Sequence, residues 1–317
     1  MTTIRPFVDI AMRRVVGATA ADRVDSMLGS IRLSTRIWFD VLAPLTMFCV
    51  LFTHWVALWK VLTGGLVILA LHIGATFVND AMDTDVDAAS SEKSRATRAL
   101  VTGRGRATDF IVIGAGLSAV GVGLAFALSP LVGVLVVGVV AVTTAYNTPP
   151  LRLSGRPVWA QLMWFAIWLL MFGLIGSVVD TEKWARAWPF GVFVAVFMGI
   201  GEGIAQDVRD ADNDGAGGRR TTPVVFGVAR SCRVATAAQA IAIGPWLLFC
   251  GRYPMPSAVI ALGTSVLVVW VVVMVRLTRR LALGFDKAAA KWTHVGSIVV
   301  FGVLNLLTLA GILLPRG

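Results

Sequence analysis

Charge is what this chain has least of. Only 15% of its 317 residues are Asp, Glu, Lys or Arg, where a soluble domain carries about 25%. Apolar residues make up 57% of the sequence and mean hydropathy is +0.79. Apolar runs of about 20 residues, long enough to cross a bilayer as helix, recur along the chain, which excludes a soluble globular domain. Cysteine is scarce too. Cys49, Cys232 and Cys250 show no metal-ligand spacing, and two of them fall inside apolar runs; they read as small core side chains. His54 and His72 have no paired ligand spacing, so a Cys/His metal centre has no support. Residues 1–37 hold many arginines but no long apolar core, and no cleavable signal peptide is evident. Phe7, Ile10, Met12, Val15 and Val16 alternate there with Arg13 and Arg14, the pattern of a helix lying in the membrane interface. No linker or composition shift marks a second domain after residue 37.

Counting apolar runs predicts an all-α, polytopic membrane protein with nine spans, at roughly 38–59, 62–78, 109–129, 131–146, 157–178, 187–206, 232–250, 256–275 and 293–313. The net charge of +10 first suggests a nucleic-acid partner, but its distribution says otherwise. With nine spans, all but five of the 28 Lys and Arg fall on the N-terminal side; the exceptions are Lys60, Lys183, Arg186, Arg252 and Arg316. That is the positive-inside pattern. It places the N-terminal segment 1–37 in the cytoplasm, ahead of a transmembrane domain at 38–317, and it leaves no role for nucleic acid.

Against this poverty of charge stand two acidic clusters, each at the end of an apolar run: Asn79-Asp80-x-x-Asp83-x-x-x-Asp87 and Asp207-x-x-Asp210-x-x-x-Asp214. Both fall on the cytoplasmic side. Carboxylates are costly near a membrane and mark function there. At about 100° per residue, Asn79, Asp80, Asp83 and Asp87 share one helix face, and so do Asp207, Asp210 and Asp214. Asp85 and Asp212 point away. Each acidic face continues the preceding span, and the repetition looks like an internal duplication. Facing carboxylate sets suit Mg²⁺, which takes oxygen ligands and completes its shell with water and phosphate. In so apolar a chain the matching polyanion is a lipid diphosphate.

Three plainer readings compete. Loop acids are usually only solvated, but that would not select the same face twice. Asp210-x-Asp212-x-Asp214-Gly215 opens like an EF-hand loop, yet its twelfth position is Thr221 rather than a bidentate glutamate. Ion-coupled transport places its carboxylates near the membrane midplane at broken helices, whereas these lie at span ends.

These residues resemble the UbiA superfamily of intramembrane prenyltransferases, whose two aspartate signatures match the two clusters. Ser94-Arg95-Ala96-Thr97-Arg98-Ala99-Leu100-Val101-Thr102-Gly103 is similar to the R-P-L-x-x-G stretch after the first signature, with Ala99 in place of proline. Gly218-Arg219-Arg220-Thr221-Thr222-Pro223-Val224 is similar to the G-x-x-T-x-P-V stretch after the second. Tyr146-Asn147-Thr148-Pro149-Pro150-Leu151-Arg152 resembles the Y-S-x-P-P-x-R segment ending span four, and Arg36-Ile37-Trp38 resembles an Arg-Pro-x-x-W start without its proline. The lysine of the family's Y-x-x-x-K motif is absent: Pro150 stands there, leaving Arg152 or Arg156 to supply a charge.

The resemblance implies nine helices around a central cavity under a cytoplasmic cap. It implies Mg²⁺ on Asp80, Asp83, Asp87, Asp207, Asp210 and Asp214, and a polyprenyl diphosphate held by Arg36, Asn79, Lys93, Arg98, Arg152 and Arg220. Tyr146 and Asn147 are the candidate catalytic residues beside the leaving group. The acceptor is an aromatic compound, a quinone precursor, or a sugar or glycerol derivative. A terpene synthase, in which the substrate's own double bond captures the cation, and a non-catalytic lipid-binding or transport protein are the alternatives. Glu202 lies inside span six off the acidic face, as a packing partner or a proton acceptor. Trp164 and Trp168, inside span five, are the tryptophans placed to face a cavity. Nine spans put the two ends of the chain on opposite sides of the membrane. A topology reporter fused after residue 317 is therefore expected on the side opposite the acidic clusters; a reporter on the same side removes a span from the count.

Overall fold

The computed structural model describes residues 22–24, 28–29, 58–89, 98–177, 181–253 and 255–313. Among them every regular element is helical. The first expected span, 38–59, and the interfacial helix expected near residues 7–16 lie outside the described residues.

Eight described helices are long and apolar enough to cross a membrane. The first is α1 (Leu58–Met82), continued after a turn at Asp83 by α2 (Thr84–Ala89). Next come α3 (Ala107–Leu128) and α4 (Pro130–Asn147). The tight α3–α4 reversal is built by Ser129, whose Oγ accepts from the Val132 N–H at 3.2 Å, with Pro130 in the first turn of α4, where a missing N–H costs nothing. Thr148 and the two prolines after it stop α4. A short 3₁₀ turn at Leu153–Gly155 leads into α5 (Trp159–Ser177).

The next crossing is α6 (Thr181–Val194), a π-helical stretch at Ala195–Glu202, and α7 (Gly203–Ala216), all without a break. A residue at 199 with a Cβ would bring that atom 2.7 Å from Phe165 Cα of α5. Gly199 is thus what lets the π stretch lie against α5. The 30 apolar-weighted residues from Ala187 to Ala216 rise about 45 Å at 1.5 Å each, well beyond a hydrocarbon layer of about 30 Å. Their end, with Asp207 to Asp214, therefore stands in the interfacial zone. The short α8 (Thr222–Phe226) turns the chain into α9 (Val228–Ile241) and α10 (Ile243–Arg252), which form one crossing. The last two are α11 (Ser257–Leu283) and α12 (Lys287–Leu313).

The expected spans stop short of several of these helices. Spans two, six and eight were bounded by the first polar residues, but the helices run on to Met82, Ala216 and Leu283. Polar side chains at the interface leave the backbone ladder intact. The core is aromatic: Phe190 packs on Phe249, Phe193 on Trp246 and Phe197 on Phe301, with ring centroids 5.0, 5.6 and 6.2 Å apart. Outside it, Val112, Val134, Ile241 and Val269 are all more than half exposed. In water that would be an aggregation-prone surface; in a bilayer it is the face that lipid covers.

Candidate active site

One cavity of about 240 Å³ lies at the end of the bundle where α1 and α7 finish. Asn79, Asp80, Asp83 and Asp87 come from α1, its turn and α2; Asp207, Asp210 and Asp214 come from α7, and all seven line it. Asp85 and Asp212 are exposed and take no part, as helical periodicity requires. The two acidic sets therefore share one chamber on one side of the membrane.

Like-charged carboxylates at this density repel, and cationic side chains offset the repulsion. Arg98 reaches both ends of the first set, 3.7 Å from Asp80 and 3.5 Å from Asp87. Arg152 donates from Nη2 to the Met82 carbonyl at 2.6 Å and to Asp83 at 3.3 Å. It does so from a left-handed backbone, with φ of 37°, a conformation that costs a residue other than glycine about 1–2 kcal/mol. Arg219 donates to Asp83 and lies 3.8 Å from Asp214, so one guanidinium joins the two sets. Gly218, at φ 73°, makes the turn after α7 that folds Arg219 back. Burial works against the charge of Arg219, but the Asp83 carboxylate outweighs it and holds the guanidinium above the ordinary arginine value. Arg209 pairs with its neighbour Asp210 at 2.5 Å.

Among the described residues Asp207 is the one of the six aspartates with no such pairing. Its partner is neutral: Gln161 Nε2 donates to Asp207 Oδ2 at 2.7 Å. Tyr146 and Asn147 line the cavity from the end of α4, opposite Trp164 of α5. The Trp164 Nε1–H donates to the Tyr146 hydroxyl at 3.1 Å, and the rings meet edge-on at 5.6 Å. Among the described residues Asn147 Oδ1 and Ser154 Oγ, buried in the cavity wall, have no hydrogen-bond partner. Buried polar atoms are rarely left so, and both are available to a bound molecule.

The other sequence candidates divide. Arg36 and Lys93 lie outside the described residues. Arg220, expected from the sequence pattern, is exposed and outside the cavity, while its neighbour Arg219 lines it. Of the two tryptophans, Trp164 faces the cavity and Trp168 packs against Phe301 at 6.3 Å. His72 also lines the cavity. Glu202 points away from it, its Oε1 2.6 Å from His294 Nδ1 of α12. Ser154 and Gln161 were missed, since an isolated hydroxyl or amide carries no motif. A glutamine inside an otherwise apolar span was the available signal for the second.

Donor chemistry decides what this chamber can hold. The six carboxylates offer only hard oxygen ligands, which suit Mg²⁺. Among the described residues no three acidic, His or Cys side chains close a metal site by themselves. Mg²⁺ tolerates that arrangement, because it keeps waters and takes phosphate oxygens as remaining ligands. The residues fit a divalent cation that shares its shell with a polyanion.

Fold and cavity together define a helical membrane protein with opposed aspartate sets under a polar cap. The chain belongs to the UbiA prenyltransferase family, whose model matches residues 41–295. A digeranylgeranylglyceryl phosphate synthase of Methanopyrus kandleri is 28% identical over 205 residues, covering 62% of this chain and 72% of that relative. The structure of a UbiA homolog from Archaeoglobus fulgidus bound to DMAPP and Mg²⁺ superposes with a TM-score of 0.68 at 19% identity, over 90% of this chain and 97% of that one. A structure of digeranylgeranylglyceryl phosphate synthase gives 0.68 at 14% identity, over 91% and 98%. At these identities the two structures show a common fold.

The bridging arginine yields a structural prediction. Arg219→Leu should lose about 1.5–3 kcal/mol of stability, the worth of hydrogen bonds to a charged group, read as a lower thermal midpoint in detergent without divalent cation. Arg220→Leu should leave the midpoint where it was. Equal midpoints for both variants would mean that Arg219 does not tie the two sets together.

Proposed function

We propose that this protein is a Mg²⁺-dependent intramembrane prenyltransferase, moving an isoprenyl group from a polyprenyl diphosphate to a small acceptor. The observation that carries the reading is the meeting of two aspartate sets, interleaved with arginines, in one cavity at the end of an apolar bundle. Asp80, Asp83 and Asp87 would hold cations on one side, and Asp207, Asp210 and Asp214 on the other. When bound, Mg²⁺ supplies positive charge to a departing diphosphate.

The chain's own residues do the rest. Arg98 and Arg219, which line the cavity, are placed to take diphosphate oxygens with planar guanidinium groups, and Arg36, Lys93, Asn79 and Arg152, which is paired with Asp83 outside the lining, are proposed to join them. Asn147 and Ser154 offer hydrogen bonds from the wall. As the C–O bond breaks, its electron pair leaves with the diphosphate and an allylic cation remains. Tyr146, steadied by Trp164, is the aromatic face beside that cation, and the surrounding span residues keep water from it. The acceptor attacks the cation and gives up a proton. A glyceryl phosphate, suggested by the name of the Methanopyrus relative, and an aromatic compound are the acceptors to assay first.

The basic bias of the loops on this side supports a multi-pass protein of the cell membrane, with its N-terminal segment and cavity mouth in the cytoplasm. Diphosphate release from prenyl diphosphates tests the assignment. Asp80→Ala, Asp83→Ala, Asp207→Ala and Asp210→Ala should each slow it by at least roughly 10²-fold, the scale of losing a positioned electrostatic stabiliser. Asp85→Ala and Asp212→Ala should stay near the parent. Equal losses across all six variants would contradict it.

A further inference from the structure

The aspartates of the cavity are not held alike. Asp80, Asp83, Asp87, Asp210 and Asp214 each face a guanidinium. Asp207 instead receives the amide of Gln161. Gln161 stands behind the cavity wall, 4% exposed, on the first turn of α5. Its amide is fixed from the other end, where the Thr222 hydroxyl donates to Gln161 Oε1 at 2.9 Å. Thr222 in turn accepts from the Val158 N–H at 3.0 Å. An ionised Asp207 sets the direction of the chain. The Thr222 hydroxyl, which accepts from Val158, still has its proton for Oε1, and the NH₂ end of Gln161 faces Asp207. An ionised carboxylate can only accept, so every group in the relay is satisfied in one sense only. Val158 holds its end from a φ of 69°, a left-handed conformation rare for a β-branched residue.

We infer that Gln161, locked by Thr222, is a positioning residue that presents Asp207, the one of the six aspartates with no guanidinium in ion-pair contact among the described residues, to a divalent cation. The inference rests on the Mg²⁺-dependent reading above. A guanidinium orients a carboxylate but also cancels its charge, and an incoming cation must displace it. A neutral amide orients one oxygen and leaves the charge in place. Second partners that orient a metal-binding side chain typically change metal affinity by about 10–100-fold. The relay also links three helices, α5, α7 and the first residue of α8, so the direction of Asp207 is set by the seating of α8.

Mn²⁺, titrated into the purified full-length protein with inorganic pyrophosphate present and compared with the same titration lacking protein, is followed by the electron paramagnetic resonance signal of free Mn²⁺ and tests this without turnover. Gln161→Met keeps the volume and removes the donor; it should weaken Mn²⁺ binding by about 10-fold or more. Thr222→Val, which leaves the amide but frees its orientation, should shift affinity in the same direction by less, and it carries the test if Gln161→Met fails to fold. Asp207→Asn should weaken binding at least as much as Gln161→Met. In the Asp207→Asn background, Gln161→Met should add nothing, because residues acting through one group are non-additive. Parent-like binding by Gln161→Met and Thr222→Val, beside a loss in Asp207→Asn, would overturn the positioning role and leave the metal reading standing. A further loss in the double variant would overturn it too. Failure of the parent to bind Mn²⁺ would remove the metal reading and the inference with it, and parent-like binding by Asp207→Asn would overturn the inference alone.

Discussion

Carboxylates crowded at the end of an apolar bundle repel one another, and the cap of this protein depends on how that repulsion is met. Three arginines meet it from three connections: Arg98 after α2, Arg152 after α4 and Arg219 after α7. Each connection is thereby drawn over the end of α1. Arg152 adopts a left-handed backbone to reach its place, and Gly218 supplies the turn that returns Arg219. An unpaired buried charge would cost several kcal/mol, and five of the six aspartates, all but Asp207, meet a guanidinium. The same interleaving makes the cavity suited to a polyanion with cations, since binding can exchange one set of counter-charges for another.

Below the cap, the bundle is organised to hold its two acidic helix ends side by side. The crossing that carries Asp207 is longer than a hydrocarbon layer, and its π stretch lies against α5 at Gly199. A bulkier residue there would push α7 away from α5 and carry Asp207 off Gln161. Aromatic packing around Phe193, Phe197 and Phe301 fills the interior away from the cavity. Lipid offers no hydrophobic advantage to contact between helices, so this dense packing is the main source of association in the lower half, and charge pairing governs the upper half.

Much of this was legible in the residues. Long apolar runs set the described crossings, because a single segment in lipid satisfies its own backbone only as a helix. The 3.6-residue period separated the cavity-facing aspartates from Asp85 and Asp212, since both acidic segments are helical. Span ends were less legible: polarity bounds spans two and six at about 78 and 206, yet helix continues through Asp80 and Asp214, as their shared faces require. Choosing between Arg219 and Arg220 required the positive φ of Gly218, which the sequence permits without announcing. The role of Gln161 depends on Thr222, 61 positions away, and on Val158 in an unusual backbone conformation. Such a relay between neutral groups leaves no spacing to detect.

The central claim is that the cavity ionises a prenyl diphosphate and hands the prenyl group to a second molecule. Mass spectrometry of products tests it most directly: purified protein is given several prenyl diphosphates with Mg²⁺ or with a chelator, each with and without a membrane extract as the source of acceptor. The account predicts a prenylated acceptor that forms only with Mg²⁺ and extract together. A cyclic hydrocarbon formed without extract would show that the substrate's own double bond captures the cation, and unchanged diphosphate under every condition would contradict catalysis altogether.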